Sequence, residues 1–200
     1  MSTTAWPDDA TERALLDRMA VGDRAALAAL YRPYHRRLAR FLSRLTRRAD
    51  VIDEVINDCF WIVWQKAGTF RGDSRVSTWI MGIAYRCALK ALRQHGEDDA
   101  TDMAWPDALE AAEHGTDPNA EHELRDWLAK AMRRLPSEQR VVLELAYGGG
   151  HSLEEIAAIM QCPLGTVKAR MFHARVKLRN LLPDLATSQV RSAPRTGGAS

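Results

Sequence analysis

The chain has 200 residues and a net charge of +2, enough length for one large or two small cores and too little charge for a polybasic nucleic-acid coat. Its three cysteines, Cys59, Cys87 and Cys162, form an odd set without CxxC spacing and read as free, buried thiols of a reducing compartment. No apolar run reaches membrane-spanning length, and Asp8, Asp9 and Glu12 stand where a signal peptide would be basic, so a soluble, cytoplasmic protein with no direct membrane insertion is expected.

Charge is segregated along the chain. Arg32 to Arg48 and Lys168 to Arg179 are basic stretches, whereas Glu97 to Glu123 holds acids and no Lys or Arg. That pattern suggests a binding surface at each end and a spacer between.

Residues 1–10 are polar and expected to be a flexible N-terminus. Leu15, Leu16 and Met19 give helical spacing to Thr11–Ala20, closed by Val21-Gly22-Asp23. Ala25 to Arg48 carries an inward stripe of Leu27, Leu30, Tyr31, Tyr34, Leu38, Phe41, Leu42 and Leu45, with Pro33 expected to break or kink it. No strand-like alternation occurs anywhere.

Asp50 to Lys66 is the next helix, with Val51, Val55, Phe60 and Ile62 as core. Asp53, Glu54, Asn57, Asp58 and Trp61 fall on its remaining faces. Three readings suit them: a solvated face, a metal or acid-base cluster of an enzyme, or an acidic patch for a basic partner with Trp61 as anchor. Thr69 to Ser74 is a loop, and Ser74 or Ser77 is placed to cap the helix Thr78–Arg93, which exposes Arg86, Lys90 and Arg93. Trp79 suits either core packing or a stacking role.

Residues 96–123 combine Gly, Pro, Asp, Asn and Glu without periodicity, as a flexible acidic linker does. Leu124, Leu128 and Met132 then mark a helix to Arg134, and Pro136 sits in the first turn of another reaching Ala146. Tyr147 to His151 is a Gly-rich turn.

Ser152, followed by Glu154 and Glu155, is a helix start, a hydroxyl cap with carboxylates in the positive first turn. Ile156, Ile159 and Met160 face inward. Pro163 and Gly165 interrupt the helix, and Thr166 is placed to cap a second one. There Val167, Met171, Ala174, Leu178 and Leu181 pack inward, and Lys168, Ala169, Phe172 and His173 project from the opposite side. Two short helices joined by a tight turn, the second basic, read as a helix-turn-helix whose second helix meets base edges, with Arg170, Arg175 and Lys177 on phosphates. An amphipathic helix with a solvated basic face shares part of this pattern. The tail from 186 to 200 reads as disordered.

Ile156-Ala-Ala-Ile-Met-Gln-Cys-Pro-Leu-Gly-Thr-Val-Lys-Ala-Arg-Met-Phe-His-Ala-Arg175 resembles the promoter-reading end of bacterial extracytoplasmic-function (ECF) sigma factors. Asp53-Glu-Val-Ile-Asn-Asp-Cys-Phe-Trp-Ile-Val-Trp64 is similar to that family's core-binding helix, with Asn57-Asp58 where the family usually has Gln-Glu. Phe70-Arg-Gly-Asp-Ser74 and Ser77-Thr-Trp-Ile80 look like its loop and helix for opening the minus-ten element. The family often has Asn where Arg86 stands, and Ser and Arg where Ala169 and His173 stand.

The resemblance implies an all-α protein of two small helical domains: a sigma region 2 domain over 11–95, the linker 96–123, and a region 4 domain over 124–185. Asp53, Glu54, Asn57, Asp58 and Trp61 would bind core RNA polymerase on its large-subunit clamp helices, with the flap as a further contact. Asp73, Ser74, Trp79, Arg86 and Lys90 would engage minus-ten DNA. Thr166, Lys168, Ala169, Arg170, Phe172, His173 and Arg175 would read the minus-thirty-five element. No catalysis, metal or cofactor is implied, and an anti-sigma factor, in some cases membrane-bound, is an implied partner. The alternatives are a helix-turn-helix regulator that acts without replacing sigma, and an enzyme built on Asp53, Glu54 and Asp58.

Overall fold

A computed structural model describes residues 8–94 and 127–192, with side chains described as far as Leu181. Every regular element among these residues is helical, as the lack of strand-like alternation predicts. The elements are α1 (Asp9–Ala20), α2 (Arg24–Leu42), α3 (Ala49–Lys66), α4 (Val76–Gln94), α5 (127–133), α6 (Ser137–Leu143), α7 (Leu153–Met160) and α8 (Leu164–Ser192).

Local chemistry accounts for the first two boundaries. The Asp8 carboxylate accepts the Thr11 amide at 2.8 Å and starts α1. Gly22, at φ 88°, makes the turn, and Asp23 then accepts the Ala25 and Ala26 amides at 2.8 and 3.2 Å to start α2. Pro33 does not break α2. The ring forfeits one backbone hydrogen bond, a cost of about 3 kcal/mol, but Leu30, Tyr34 and Leu38 on the flanking turns are wholly buried and hold the helix through it. The helix ends at Leu42, earlier than the apolar stripe suggests, and Leu45 is buried from the turn that follows.

In α3 the residues Val51, Val55, Ile56, Cys59, Phe60 and Val63 turn inward, while Ile62 is only partly buried. Helix α4 begins two residues before its predicted start, and neither Ser74 nor Ser77 supplies the cap seen there. The Val76 amide donates to Asp9 Oδ1 at 2.8 Å, a cap delivered from α1, and Ser74 Oγ donates to the Arg75 carbonyl instead. Residues 1–7, the acidic linker 96–123, the predicted helix start at Leu124 and residues 193–200 lie outside the described residues.

In the second half, α6 gives way to a π-helical turn over Glu144–Gly148, so the predicted helix to Ala146 ends its regular part at Leu143. Ser152 caps α7 as expected. Its Oγ accepts the Glu155 amide and Glu155 Oε2 accepts the Ser152 amide, a reciprocal capping box. Between α7 and α8 the left-handed residue is Gln161, at φ 51°, and Gly165 is already helical. Thr166 is therefore not the cap; its amide bonds the Pro163 carbonyl inside the first turn. Helix α8 runs to Ser192, past the point where a disordered tail was expected.

Of the cysteines only Cys59 is fully buried; Cys87 and Cys162 are half-buried, and all three are free thiols. Cys87 lies at the edge of the apolar face of α4 and Cys162 in the turn between α7 and α8, where local pattern alone overstates burial. The two halves meet: α4 lies along α7, and the buried side chains of both halves form one connected apolar cluster. No helix among the described residues is long and apolar enough to cross a membrane.

Candidate functional site

On α3, residues Asp53, Glu54, Asn57, Asp58 and Trp61 are all exposed. Their steps of one, three, one and three residues gather them on one face of the helix. Trp61 is 61% exposed, uncommon for the largest apolar side chain. It forms one wall of an apolar groove of about 420 Å³ between α2 and α3, together with Leu27, Tyr31, Phe60 and Trp64. Arg24 and Asn57 stand at its rim. An aromatic groove on a helix whose exposed face also carries Asp53, Glu54 and Asp58 suits a partner that presents basic groups beside an apolar side chain.

The loop between α3 and α4 is held by α1, which sequence reasoning did not anticipate. Arg13 Nη2 donates to the Gly72 and Ser74 carbonyls at 3.4 and 3.2 Å, and its guanidinium lies 5.4 Å from the Phe70 ring centre. Gly72 is at φ 77°, and a Cβ there would strike the Arg13 guanidinium, so both backbone freedom and space call for glycine. Asp9 fixes Arg13 through Nε at 2.6 Å. Partial burial pushes the Asp9 carboxyl pKa up, but bonds from Arg13 and the Val76 amide outweigh it and hold it below the usual carboxylate value.

This framework sets the residues expected to meet minus-ten DNA. Asp73 is exposed and Ser74 half-buried. Trp79 is half-buried, its ring tilted against Phe70 at 5.1 Å between centres. It is thus part core and part surface. Arg86 and Lys90 are exposed farther along α4.

On α8, Val167, Met171 and Ala174 are buried and Leu178 and Leu181 half-buried, as the periodicity predicts. Lys168, Ala169, Phe172, His173 and Arg175 are exposed, with Phe172 at 63% and its ring edge-on to His173. Thr166 and Arg170 are half-buried. Arg170 is engaged within the domain: Nη2 meets Glu138 Oε2 at 2.5 Å and Nη1 lies 3.5 Å from Cys162 Sγ. Arg175 donates to the Tyr147 hydroxyl at 2.6 Å with its guanidinium 5.8 Å from that ring's centre. Tyr147 and Glu138 were missed by the sequence reading. An aromatic beside three glycines was the available signal for Tyr147; Glu138 had none.

The predicted residues therefore fall into three separate groups, on α3, on the loop with α4, and on α8. Comparison with known proteins finds that residues 30–97 match the family described as Sigma-70 region 2, and residues 125–178 the family described as Sigma-70, region 4. The chain is 32% identical over 184 residues to the ECF RNA polymerase sigma-E factor of Escherichia coli strain K12, covering 88% of this chain and 96% of that protein. It is 30% identical to the sigma-E factor of Haemophilus influenzae, covering 88% and 97%. Among solved structures, the sigma factor RpoE of Bartonella quintana, in complex with the anti-sigma factor NepR, superposes with TM-score 0.56 at 28% identity, over 78% of this chain and 93% of that one. CnrH, in complex with the cytosolic domain of CnrY, shares the fold at TM-score 0.63 and 21% identity, over 87% and 98%.

Proposed function

The chain belongs to the ECF sigma factors of RNA polymerase, and from that premise we propose how its surfaces divide the work of directing promoter-specific initiation. Domain boundaries at 11–95 and 124–185 are part of the same reading, supported by the separate matches to regions 2 and 4.

The α3 face docks on core polymerase at the large-subunit clamp helices. Asp53, Glu54 and Asp58 steer basic groups towards it, Asn57 offers a neutral hydrogen-bonding partner, and Trp61 enters an apolar contact. The loop and α4 engage the minus-ten element. Extruding a base breaks its stacking, so the site must offer replacement stacking and edge contacts. The Phe70–Trp79 pair supplies aromatic surface, Asp73 and Ser74 supply acceptors and a donor, and Arg86 and Lys90 are cations for backbone phosphates.

Helix α8 reads the minus-thirty-five element in the major groove. Lys168 can donate to guanine edges, and Ala169 and Phe172 offer apolar contact to thymine methyls. Thr166 and His173 add polar contacts at the two ends of this face. Arg175 neutralises phosphate, pre-positioned by Tyr147. Arg170 joins once it leaves Glu138; until then it braces α8 against α6. The domain also meets the polymerase flap.

An anti-sigma factor regulates the protein. The RpoE–NepR complex supports this, since that sigma factor is 28% identical to this chain. The site of action is the cytoplasm, with polymerase.

The single observation behind this reading is the exposed acid-and-tryptophan face of α3 together with the exposed basic face of α8 on one chain. A DNA-binding regulator or an enzyme accounts for at most one of them. The test is run-off transcription with purified core polymerase on genomic fragments, comparing wild type with Asp58→Arg. Specific transcripts that are lost in a folded Asp58→Arg support it. No transcripts, with specific duplex binding by the protein alone, would replace it with a conventional regulator.

A further inference from the structure

Tyr147 stands 68% exposed just past α6, directly after a run of buried residues that includes Leu143 and Leu145. In a regular helix it would follow Leu143 by four residues and lie on the same buried face. The π-helical turn over Glu144–Gly148 prevents this. There the Gly149 amide reaches back to the Glu144 carbonyl at 2.9 Å, and the wider turn rotates the phenol out to the surface. The next amide bond is long-reaching too, since His151 donates to the Leu145 carbonyl at 3.0 Å and fixes the turn from its far side. Single π-turns are rare and concentrate at functional sites.

The phenol is paired with the promoter-reading helix. Arg175 Nη2 donates to the Tyr147 hydroxyl at 2.6 Å, and the guanidinium lies 5.8 Å from the ring centre. Both residues remain exposed. Lys168, Phe172 and Arg175 are exposed at steps of four and three residues, which makes them one stripe along α8. Arg175 lies about 10 Å beyond Lys168 along the axis at 1.5 Å per residue. The major groove is about 12 Å wide. A helix whose Lys168 end meets base edges therefore carries Arg175 and Tyr147 to a strand wall, where phosphates are in reach.

We propose that Tyr147 and Arg175 form a clasp for a single DNA phosphate beside the minus-thirty-five element, with the tyrosine hydroxyl as a phosphate ligand in its own right. This rests on the minus-thirty-five reading of α8 proposed above. A phenol has one proton to donate and lone pairs to accept with. A lone pair takes the Arg175 N–H, so the proton is left for an outside acceptor. The cation that donates to the oxygen also polarises the O–H, and hydrogen bonds in such a chain strengthen one another. A phosphate satisfies both groups. It takes the O–H in a charge-assisted bond and neutralises the guanidinium, whose other N–H groups suit its oxygens. The pair is already assembled, so little ordering is left for binding to provide. Such a contact carries no sequence information; it sets the register of α8 in the groove.

Holoenzyme assembled from purified core and the full-length chain tests this, on a duplex carrying the minus-thirty-five element of a promoter found by run-off transcription. Tyr147→Phe keeps the ring and removes only the hydroxyl. It should weaken binding about tenfold, with the slope of affinity against salt unchanged because no charge is lost. Arg175→Ala should weaken binding and lower that slope by about one. With Arg175→Ala already present, Tyr147→Phe should cost no more than about twofold, since the hydroxyl has lost its orienting partner. Replacing each phosphate in turn by an uncharged methylphosphonate should find one position that weakens wild type about tenfold and leaves the double variant unaffected. Unaltered duplex affinity in Tyr147→Phe overturns the clasp, whatever happens to its stability in urea. So does a loss of core binding with duplex affinity intact, which would make Tyr147 a polymerase contact. A wild-type holoenzyme that does not distinguish the promoter duplex from a scrambled one overturns the minus-thirty-five reading, and the clasp with it.

Discussion

Trp61→Ala tests the α3 face most sharply, because the indole contributes little to the fold and much to the surface. A tryptophan side chain offers roughly 250 Å² for burial, and at 61% exposure about 150 Å² of Trp61 faces solvent. Covering all of it would be worth about 4 kcal/mol at 25 cal/mol per Å². Partial cover and the cost of ordering the contact reduce this to about 2 kcal/mol, the range of an interface hot spot. That corresponds to roughly a 30-fold loss of affinity for core polymerase. The fold should lose no more than about 0.5 kcal/mol, as for other surface substitutions.

The assay is equilibrium competition against labelled wild type for purified core at fixed salt, with urea unfolding as the control for fold. Asp58→Asn should behave differently, reducing the association rate and its salt dependence more than the dissociation rate. Folded Trp61→Ala that binds core within twofold of wild type would refute the assignment of this face.

Asp9→Ala should cost about 1 kcal/mol in urea unfolding, as loss of a helix cap does. The folded Asp9 pKa is depressed, so its contribution is present above the unfolded carboxylate value near 4 and is lost as pH falls through the folded one; the variant's deficit should therefore shrink in acid. Phe172→Ala should reduce discrimination among minus-thirty-five sequences, whereas Arg175→Ala should weaken all of them alike and lower the salt slope by about one, both read by titration of short duplexes. Burial and then Arg37 push the His151 pKa down to about 4 against the pull of Glu155, with Arg75 also facing it. The folded state thus binds fewer protons than the unfolded chain between these values, so the stability that neutral His151 contributes is complete above about pH 6.5 and is lost as pH falls towards 4. Urea unfolding should show lower stability at pH 5.5 than at pH 7.5, and His151→Gln should reduce that difference.

Periodicity made most of the helices legible, because each buries its own stripe and exposes its own charges. The inward set of α8, the Ser152 capping box and the exposed acids of α3 follow from local rules that act within a few residues. The failures have local causes too. Pro33 lowers the propensity of α2, but packing of Leu30, Tyr34 and Leu38 outweighs it. Thr166 is a good cap by type, yet Pro163 already starts the helix, and Gln161 makes the turn with a left-handed backbone where Gly165 was expected to interrupt the helix. Neither outcome departs from the rules of propensity; in each a neighbouring residue satisfied the same need first.

A different kind of information is missing where contacts cross the chain. The basic stretch Arg32–Arg48 read as one binding surface, yet Arg37 and Arg44 turn to Gly149, His151 and Glu144 in the second half. Asp9 and Arg13 shape the loop at Gly72–Ser74 from some sixty residues away. A charge pattern tells only that a side chain avoids its own helix's core; it does not say whether water, a partner or another part of the chain receives it. Glycine is the better witness in such cases. Gly72 leaves room for something remote, the Arg13 guanidinium. Its left-handed backbone, at φ 77°, marks the turn, and the remote arginine, bonded to the Gly72 and Ser74 carbonyls, ties that turn to α1.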